Sequence, residues 1–478
     1  MICTTAFRSR RVHTACLLLA LATSSVTVCA QVSSSTQQLA VTAPTTAGGV
    51  FDRWMNFYRQ DWSGTAPASP AAPRRGLPQP LDSPPFPSAD WSYGGSPTIG
   101  EADTNTYPLQ TAINNATSRT KVYGWVEPTL NGSTSAHRNY PETNDLYSNR
   151  FELGQAVVYV ERLPDEVQQK HVDFGYHLTA FFGTDYRSTT NKGYFSSQLL
   201  DHDRQYGFDP VLEYVDIYFP HVAQGMNLRV GRFISIPGIE AQLTPNNYMF
   251  SHSLLYAVDP FTDTGVLATI QMSNTLTVQA GVSASHDVAP WTPDAKPSFM
   301  GCVSKTTESN NDNFYLCANG INDGTYAFNN IQMYDGTWYH RFSKTWHMAT
   351  ESYAMYQRDV PSVHGTLTPE KGTNGANCHL GLQLCFAPEW AAVNYINHEF
   401  SVHDYISLRN DFLNDKKGQR TGYAGRYSEA TFSYNHWFGS TVQLRPEIRF
   451  DHAWGRLSYD QGTRRNQFTA AADVIYHF

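Results

Sequence analysis

No hydrophobic run in these 478 residues is long enough to cross a bilayer as a helix, which takes about 20 apolar residues. The one sustained apolar stretch, Thr14 to Ala22, is short and stands near the start. It follows Arg8, Arg10 and Arg11 and precedes Val28-Cys29-Ala30, the pattern of a secretory signal cleaved before Gln31. A lipoprotein reading with Cys29 as first mature residue is weaker, because Val28 is bulky where a small residue usually stands. A twin-arginine reading of Ser9-Arg10-Arg11 lacks the motif that should follow. Basic charge is scarce as well: 34 Lys and Arg against 42 Asp and Glu give a net −8, and losing the three signal arginines takes it to −11. No basic patch dominates, which argues against a nucleic acid as partner. Cysteine is also sparse, and of the seven, Cys3, Cys16 and Cys29 leave with the signal. The other four form two close pairs, Cys302 with Cys317 and Cys378 with Cys385, which in an oxidising exported context read as two disulfides within loops. Neither pair has the short spacing of a zinc knuckle, and nothing else in the sequence asks for a metal or a cofactor.

What is present is alternation. The end of the chain places Phe468, Ala470, Ala472, Val474, Tyr476 and Phe478 on one face, against Gln467, Thr469, Ala471, Asp473, Ile475 and His477 on the other. Farther upstream, Val172, Phe174, Tyr176, Leu178, Ala180 and Phe182 alternate with His171, Asp173, Gly175, His177, Thr179 and Phe181. Val442, Leu444, Ile448 and Phe450 alternate with Gln443, Arg445, Glu447, Arg449 and Asp451. A basic group facing the lipid midplane costs roughly 2 to 4 kcal/mol, so Arg445 and Arg449 must point inward. In hydrocarbon every backbone N–H and C=O needs a partner, and without spanning helices only a closed barrel supplies them. The fold class is therefore all-β, a transmembrane antiparallel up-and-down β-barrel. A soluble sandwich or barrel is the alternative that alternation by itself allows.

The organisation falls into residues 1–30 as signal, 31–118 as a Ser/Thr/Pro-rich periplasmic lead, and 119–478 as barrel. The lead carries an amphipathic piece from Val50 to Tyr58 and then prolines from Pro67 to Pro97, a density that prevents helix and ladder and reads as a largely disordered tether. A lumen plug is its alternative. Alternating segments number about fourteen, within 12–16, joined by long loops near 131–150, 184–209, 236–261, 287–331, 359–390, 414–424 and 454–465. Short turns such as Ser343-Lys344 separate the others, and short periplasmic turns with long outer loops are the expected asymmetry. Both cysteine pairs then fall in outer loops.

Several stretches carry a resemblance: Val122-Tyr123-Gly124-Trp125-Val126-Glu127, Phe182-Gly183-Thr184-Asp185, Gln205-Tyr206-Gly207-Phe208-Asp209-Pro210 and Leu228-Arg229-Val230-Gly231-Arg232-Phe233. So do Pro245-Asn246-Asn247-Tyr248 with Ser251-His252-Ser253, Thr264-Gly265-Val266, and Leu444-Arg445-Pro446-Glu447-Ile448-Arg449-Phe450-Asp451. In this order they resemble the OmpL-like β-barrel porin-2 family over most of 119–478. Asp263 departs from the His or Gln expected before the Thr-Gly pair, and the two cysteine loops look like embellishments of a subgroup. The resemblance implies an outer-membrane channel reached by export through the periplasm, with the solute undefined.

A barrel of this size leaves a pore narrower than that of a sixteen- to eighteen-stranded porin, suited to passive diffusion of small polar or charged solutes. Selectivity is expected from inward Lys121, Glu127, Asp173, Asp216, Arg229, Glu351, Arg409, Arg445, Glu447, Arg449 and Asp451, whose mixed signs set up a transverse field. For any single one, pairing that stiffens the wall is an equal reading. Loop 236–261, with Glu240, Asn246, Asn247 and Tyr248, is the candidate constriction, against an ordinary outer loop. The partners expected are outer-membrane lipid, the solute, and the barrel assembly machinery through Phe478; a single chain and a homo-oligomer fit equally. An enzyme is the weaker alternative, since Ser251-His252 and Ser285-His286-Asp287 are adjacent residues facing opposite ways and no nucleophile elbow occurs. A surface receptor or adhesin would use the long loop 287–331.

Overall fold

Sixteen antiparallel strands form one closed barrel in the computed structural model, which describes residues 48–64, 99–100, 107–114, 118–142, 144–236, 238–401 and 403–478. Residues 1–30, expected to be a signal, most of the proline-rich lead, Thr143, Pro237 and Val402 lie outside the described residues. The strands are β1 (Thr120–Ser133), β2 (Phe151–Arg162), β3 (Asp173–Gly183), β4 (Gly207–Phe219), β5 (Met226–Ile234), β6 (Thr262–Ser273), β7 (Leu276–His286) and β8 (Ser298–Thr306). They continue with β9 (Asp312–Ile321), β10 (Gln332–Arg341), β11 (Trp346–Pro361), β12 (Leu384–Glu399), β13 (Asp404–Asp415), β14 (Gly425–Phe438), β15 (Val442–Trp454) and β16 (Asn466–His477). Each pairs with its neighbours in sequence, and β1 closes on β16 from Trp125 opposite His477 to Ser133 opposite Thr469. Closure leaves no sheet edge, which is what a bilayer demands of strands.

The alternation decides which face is which. On β15, Ile448 and Phe450 are exposed on the outer surface, while Arg445, Glu447, Arg449 and Asp451 are buried inside. On β16, Phe468 and Val474 face out, and Gln467, Thr469, Asp473 and His477 face in. A one-residue slip on either strand would exchange these sets and place charge against lipid, so the pleat itself fixes the register.

Two expectations are corrected. The sixteen strands are the upper bound of the range expected, and the two beyond fourteen, β8 and β9, occupy the segment expected to be a single outer loop, 287–331. Cys302 and Cys317 therefore do not close a loop but stand opposite one another on these two strands, with Cα atoms 4.2 Å apart in a disulfide. Cys385 likewise lies within β12, which begins earlier than expected, and its disulfide to Cys378 fastens loop 362–383 to the wall. Part of the lead is also described. Two pieces of it are helices, α1 (Val50–Trp62) and α2 (Pro108–Asn114), and both dock on the rim where β16 ends. Arg53 of α1 donates to the Ala112 carbonyl from Nε at 3.0 Å and from Nη2 at 2.7 Å, tying the helices to each other. Tyr107, just before α2, stacks on Tyr123 of β1 with ring centroids 3.7 Å apart. The Gln110 side chain accepts the Val122 N–H of β1 at 3.1 Å. That N–H lies on the stretch of β1 beyond its ladder with β16, so α2 satisfies backbone the closing strand does not reach.

Candidate functional site

The segment joining β5 to β6, residues 235–261, runs inside the barrel. Its backbone is held by charged side chains of the wall. Glu351 of β11 accepts the Ile239 N–H at 2.6 Å, Glu447 of β15 accepts the Phe250 and Ser251 N–H groups at 3.1 Å each, and Asp411 of β13 accepts the Leu254 N–H at 2.8 Å. Arginines take the carbonyls. Arg445 donates to Thr244 at 3.1 Å and to Asn247 at 3.0 Å, Arg449 donates to His252 at 2.6 Å, and Arg409 donates to Ser251. A loop with no ladder of its own must satisfy its buried backbone somewhere, and here the wall's carboxylates and guanidinia do so.

Each arginine also meets carboxylates. Arg445 lies 3.1 Å from Asp473 through Nε and 3.6 Å from Glu127, Arg409 lies 3.1 Å from Glu429 and 3.7 Å from Glu240, and Arg449 lies 2.8 Å from Asp451 and 3.7 Å from Glu142. All three guanidinia are sealed from solvent. Buried charges persist only when paired and fully hydrogen-bonded, so each arginine is an ion-pair member on one side and a backbone ligand on the other.

The expected constriction residues take different parts in this. Glu240 accepts the Ser253 N–H at 2.8 Å and the Tyr395 hydroxyl at 2.7 Å. Asn247 accepts the Ala241 N–H at 2.8 Å and so braces the loop against itself, and Asn246 is buried in a single turn of 3₁₀-helix, Thr244–Asn246. The Tyr248 hydroxyl lies 3.0 Å from His347 and 3.3 Å from Tyr339, reaching the wall of β10 and β11. His252 packs on Tyr256 and faces the Ala241 carbonyl at 2.7 Å, and burial pushes its pKa down to about 3, so it is neutral.

Of the eleven expected inward charges, Glu127, Glu351, Arg409, Arg445, Glu447, Arg449 and Asp451 gather around this loop. The other four do not. Lys121 lies at the rim of β1 with its ammonium 5.6 Å from the Tyr107 ring. Asp173 takes the guanidinium of Arg162 at 3.1 Å and the Asp165 N–H at 2.8 Å, which fastens the turn between β2 and β3. Asp216 of β4 and Arg229 of β5 pair through two 2.9 Å contacts, with the guanidinium 3.8 Å over the Tyr214 ring. Arg229 alone of the eleven keeps substantial solvent contact, its side chain 23% exposed. The residues not foreseen are Asp411, Glu429 and Asp473, each on the parity that faces inward, and Glu142, which comes from loop 134–150. Parity could have found the first three; nothing local marks Glu142.

The Ser-His-Asp sequences make no catalytic constellation. Ser285 Oγ lies 3.3 Å from Asn330, His286 pairs with Asp263 at 3.2 Å, and Asp287 accepts the Phe261 and Thr262 N–H groups at 3.0 and 2.7 Å. Ser251 sits between Arg409 and Arg449 rather than with a base.

One family model, described as "Putative beta-barrel porin-2, OmpL-like", matches residues 119–478. A search of curated proteins finds no match. Similar solved structures include the anion-selective porin from Comamonas acidovorans, 9% identical with a TM-score of 0.47, the match covering 75% of this chain and 99% of that one. The outer membrane channel DcaP of Acinetobacter baumannii is 9% identical with a TM-score of 0.46, covering 75% and 97%. OmpT, an outer membrane protein of Vibrio cholerae in its trimer form, is 9% identical with a TM-score of 0.42, covering 75% and 99%. The family match spans every strand of the barrel, and the chain belongs to the OmpL-like porin-2 family as an outer-membrane channel for passive diffusion.

Proposed function

We propose that the channel passes small polar or charged solutes along the β5–β7 side of the lumen, with loop 235–261 as its constriction. One observation carries this reading: the loop is fastened by backbone bonds to side chains of β11, β13 and β15, while on β5 the Arg229 side chain keeps solvent contact. The half-buried inward residues Asn227 and Thr269 flank it on β5 and β6. A sixteen-stranded barrel encloses room for an aqueous channel, and a loop occupying one side of that room leaves a narrower path along the other. The Arg229–Asp216 pair presents both signs to a passing solute, which orients dipolar molecules rather than rejecting one charge outright. Loops that meet solvent at the outer end bear less weight, because the long loop that would serve an adhesin is instead the hairpin β8–β9. We further propose that Phe478 is read by the barrel assembly machinery before the seam closes; in the finished barrel its backbone pairs with Gly124 in both directions, at 2.8 and 2.9 Å. In planar bilayers, deleting residues 240–250 should raise single-channel conductance severalfold, and a deletion barrel with unchanged conductance would sink the constriction reading.

A further inference from the structure

Helix α1 stands outside the barrel, on the rim formed by the ends of β14, β15 and β16. The Tyr58 hydroxyl donates to the His477 carbonyl at 2.8 Å, and its ring stacks on Tyr476 with centroids 5.3 Å apart and planes 20° from parallel. Tyr476 is on the outward parity of β16, so the helix lies against the lipid-facing side of the seam. Asp61 caps the turn between β14 and β15: its carboxylate accepts the Ser440 N–H at 2.9 and 3.0 Å and the hydroxyls of Ser440 and Thr441 at 2.8 and 2.9 Å. The turn is shaped for this contact, since Gly439 has φ +63° and a Cβ there would stand 2.3 Å from the Asp61 carboxylate. Trp62 Nε1 donates to Thr441 at 3.1 Å.

With Trp54, Tyr58 and Asp61 turned to the rim and Arg53 turned to α2, the helical period of 3.6 residues leaves two further faces. One carries Asp52, Asn56, Arg59 and Gln60, all exposed and polar. The other carries Phe51, Met55 and Trp62, spaced as one stripe on the side away from α2 and adjacent to Tyr58; Phe51 is 66% and Trp62 58% exposed. Among the described residues, the Trp62–Thr441 bond and ring contacts within α1 leave both aromatics largely exposed. Through Thr441, Trp62 joins the turn that Asp61 caps, and that turn follows Phe438, the half-exposed outward aromatic at the end of β14. Aromatic side chains at strand ends form the belt of a membrane barrel, where apolar rings meet headgroups.

We propose that α1 is a membrane-interface helix: its Phe51–Met55–Trp62 stripe lies in the headgroup and upper acyl region of the periplasmic leaflet, and its occupant is glycerophospholipid. The side chains fit that place, an apolar stripe beside a polar face being the pattern of helices that lie in a membrane surface. The docking residues supply what such a helix needs in order to stay, a rigid attachment to the seam at fixed height. The stripe thus extends the aromatic belt sideways over the strands that close the barrel.

The test is photo-crosslinking in the full chain assembled in the outer membrane, then extracted into vesicles of phosphatidylethanolamine and phosphatidylglycerol. Phe51→benzoylphenylalanine and Met55→benzoylphenylalanine should give lipid adducts on their peptides at about fivefold or more the yield of Asn56→benzoylphenylalanine on the polar face, as partition of one face into the interface requires. Heat-modifiable migration on gels confirms that each variant has closed its barrel. Equal or absent lipid adducts at the three positions in closed barrels would overturn the proposal. Chain-to-chain crosslinks at 51 and 55 in place of lipid adducts would assign the stripe to a second copy and overturn it equally.

Discussion

The two sides of the lumen are built from different chemistry. The inward face of β13 to β16 carries Arg409, Asp411, Glu429, Arg445, Glu447, Arg449, Asp451 and Asp473, every one buried. Across the barrel, the inward face of β6 to β9 is neutral apart from the Asp263–His286 pair: Thr269, Gln271, Thr277, Gln279, Ser283, Ser304 and Asn313, laced by bonds such as Gln279 to Thr269 at 2.9 Å. The charged side holds the infolded loop by its backbone at many points, while the neutral side reaches that backbone through Asn319, which donates to the Ile236 carbonyl, and packs Leu267 and Met300 into the apolar cluster that holds Leu243 and Tyr256 of the loop. In a barrel, then, a wall rich in arginine and carboxylate need not be the wall that solutes touch. A guanidinium that is already paired and already bonded to a loop carbonyl is a clamp, and the field it adds to the lumen is partly cancelled by its own partners.

The largest effect that would break this contrast is expected at the clamp. Arg445→Ala strips the shared cation from Asp473 and Glu127 and frees the carbonyls of Thr244 and Asn247. Removing one member of a buried pair typically costs about 3 to 5 kcal/mol. Urea unfolding in detergent micelles should show that loss, and single-channel records should become noisier as the loop loosens. A stability change as small as that of a surface substitution would mean the loop is held by its apolar contacts, Leu254, Leu255 and Val258, instead.

Acidity should move the same loop. Asp185, just past β3, bonds Gln155 and Asn144 at 3.1 Å each, and its own carbonyl accepts from Gln242 of the infolded loop at 3.0 Å. Burial raises its pKa from 3.8 to about 7, opposed by the Gln155 and Thr184 hydrogen bonds. The folded chain therefore holds a proton between about pH 4 and 7 that the unfolded chain has released. The stability this confers is full below the unfolded value and is lost as pH rises through 7, by up to about 4 kcal/mol at one tenfold per 1.4 kcal/mol. The unfolding midpoint should fall between pH 5 and pH 8, and Asp185→Asn should flatten that slope; a slope left intact in the Asn variant would place the titration elsewhere.

Much of this was readable before any coordinates. Parity alone sends Arg445, Arg449 and Asp451 inward and Phe450 and Val474 outward, because a period of two leaves no third choice. Parity was also present in β8 and β9, where Phe299 and Val303, then Phe314 and Leu316, mark the outer face. The cysteines drew the stretch toward a loop, although two cysteines on neighbouring strands need no loop to meet. What no local pattern carries is the path of residues 235–261, since the carbonyls that accept from the arginines belong to backbone and have no residue code. The same holds for α1: its amphipathy was visible at Val50 to Tyr58, but its seat depends on a turn nearly four hundred residues later, at Gly439 to Thr441.

The disulfide of the neutral wall should matter less than its four-residue rarity suggests. Cys302 and Cys317 are already ladder partners, so the cross-link adds little to what the hairpin imposes once folded, and its contribution comes from restricting the unfolded chain. A double Cys302→Ser, Cys317→Ser variant should lose no more than about 3 kcal/mol and conduct as before, since a loop of this length sets that ceiling. A changed conductance in that variant would show that the neutral wall is held in shape by the cross-link and not by its amide ladder.

The smallest effect on stability should come with the clearest effect on function, at Arg229. The guanidinium is part exposed while Asp216 is buried, so removing a cation that water can partly replace should cost less than at the sealed clamp. Arg229→Ala should therefore unfold closer to the wild-type urea concentration than the clamp variants do, while leaving Asp216 as an uncompensated carboxylate beside the proposed path. In a salt gradient the reversal potential should shift toward cations, and the reverse variant, Asp216→Asn, should shift it toward anions. At the clamp, Arg449→Gln should instead change stability far more than reversal potential, because its charge is spent on Asp451, Glu142 and the His252 carbonyl. If the clamp variant moved the potential and the Arg229 variant did not, solutes would run along the charged wall, and the assignment of the two sides would have to be exchanged.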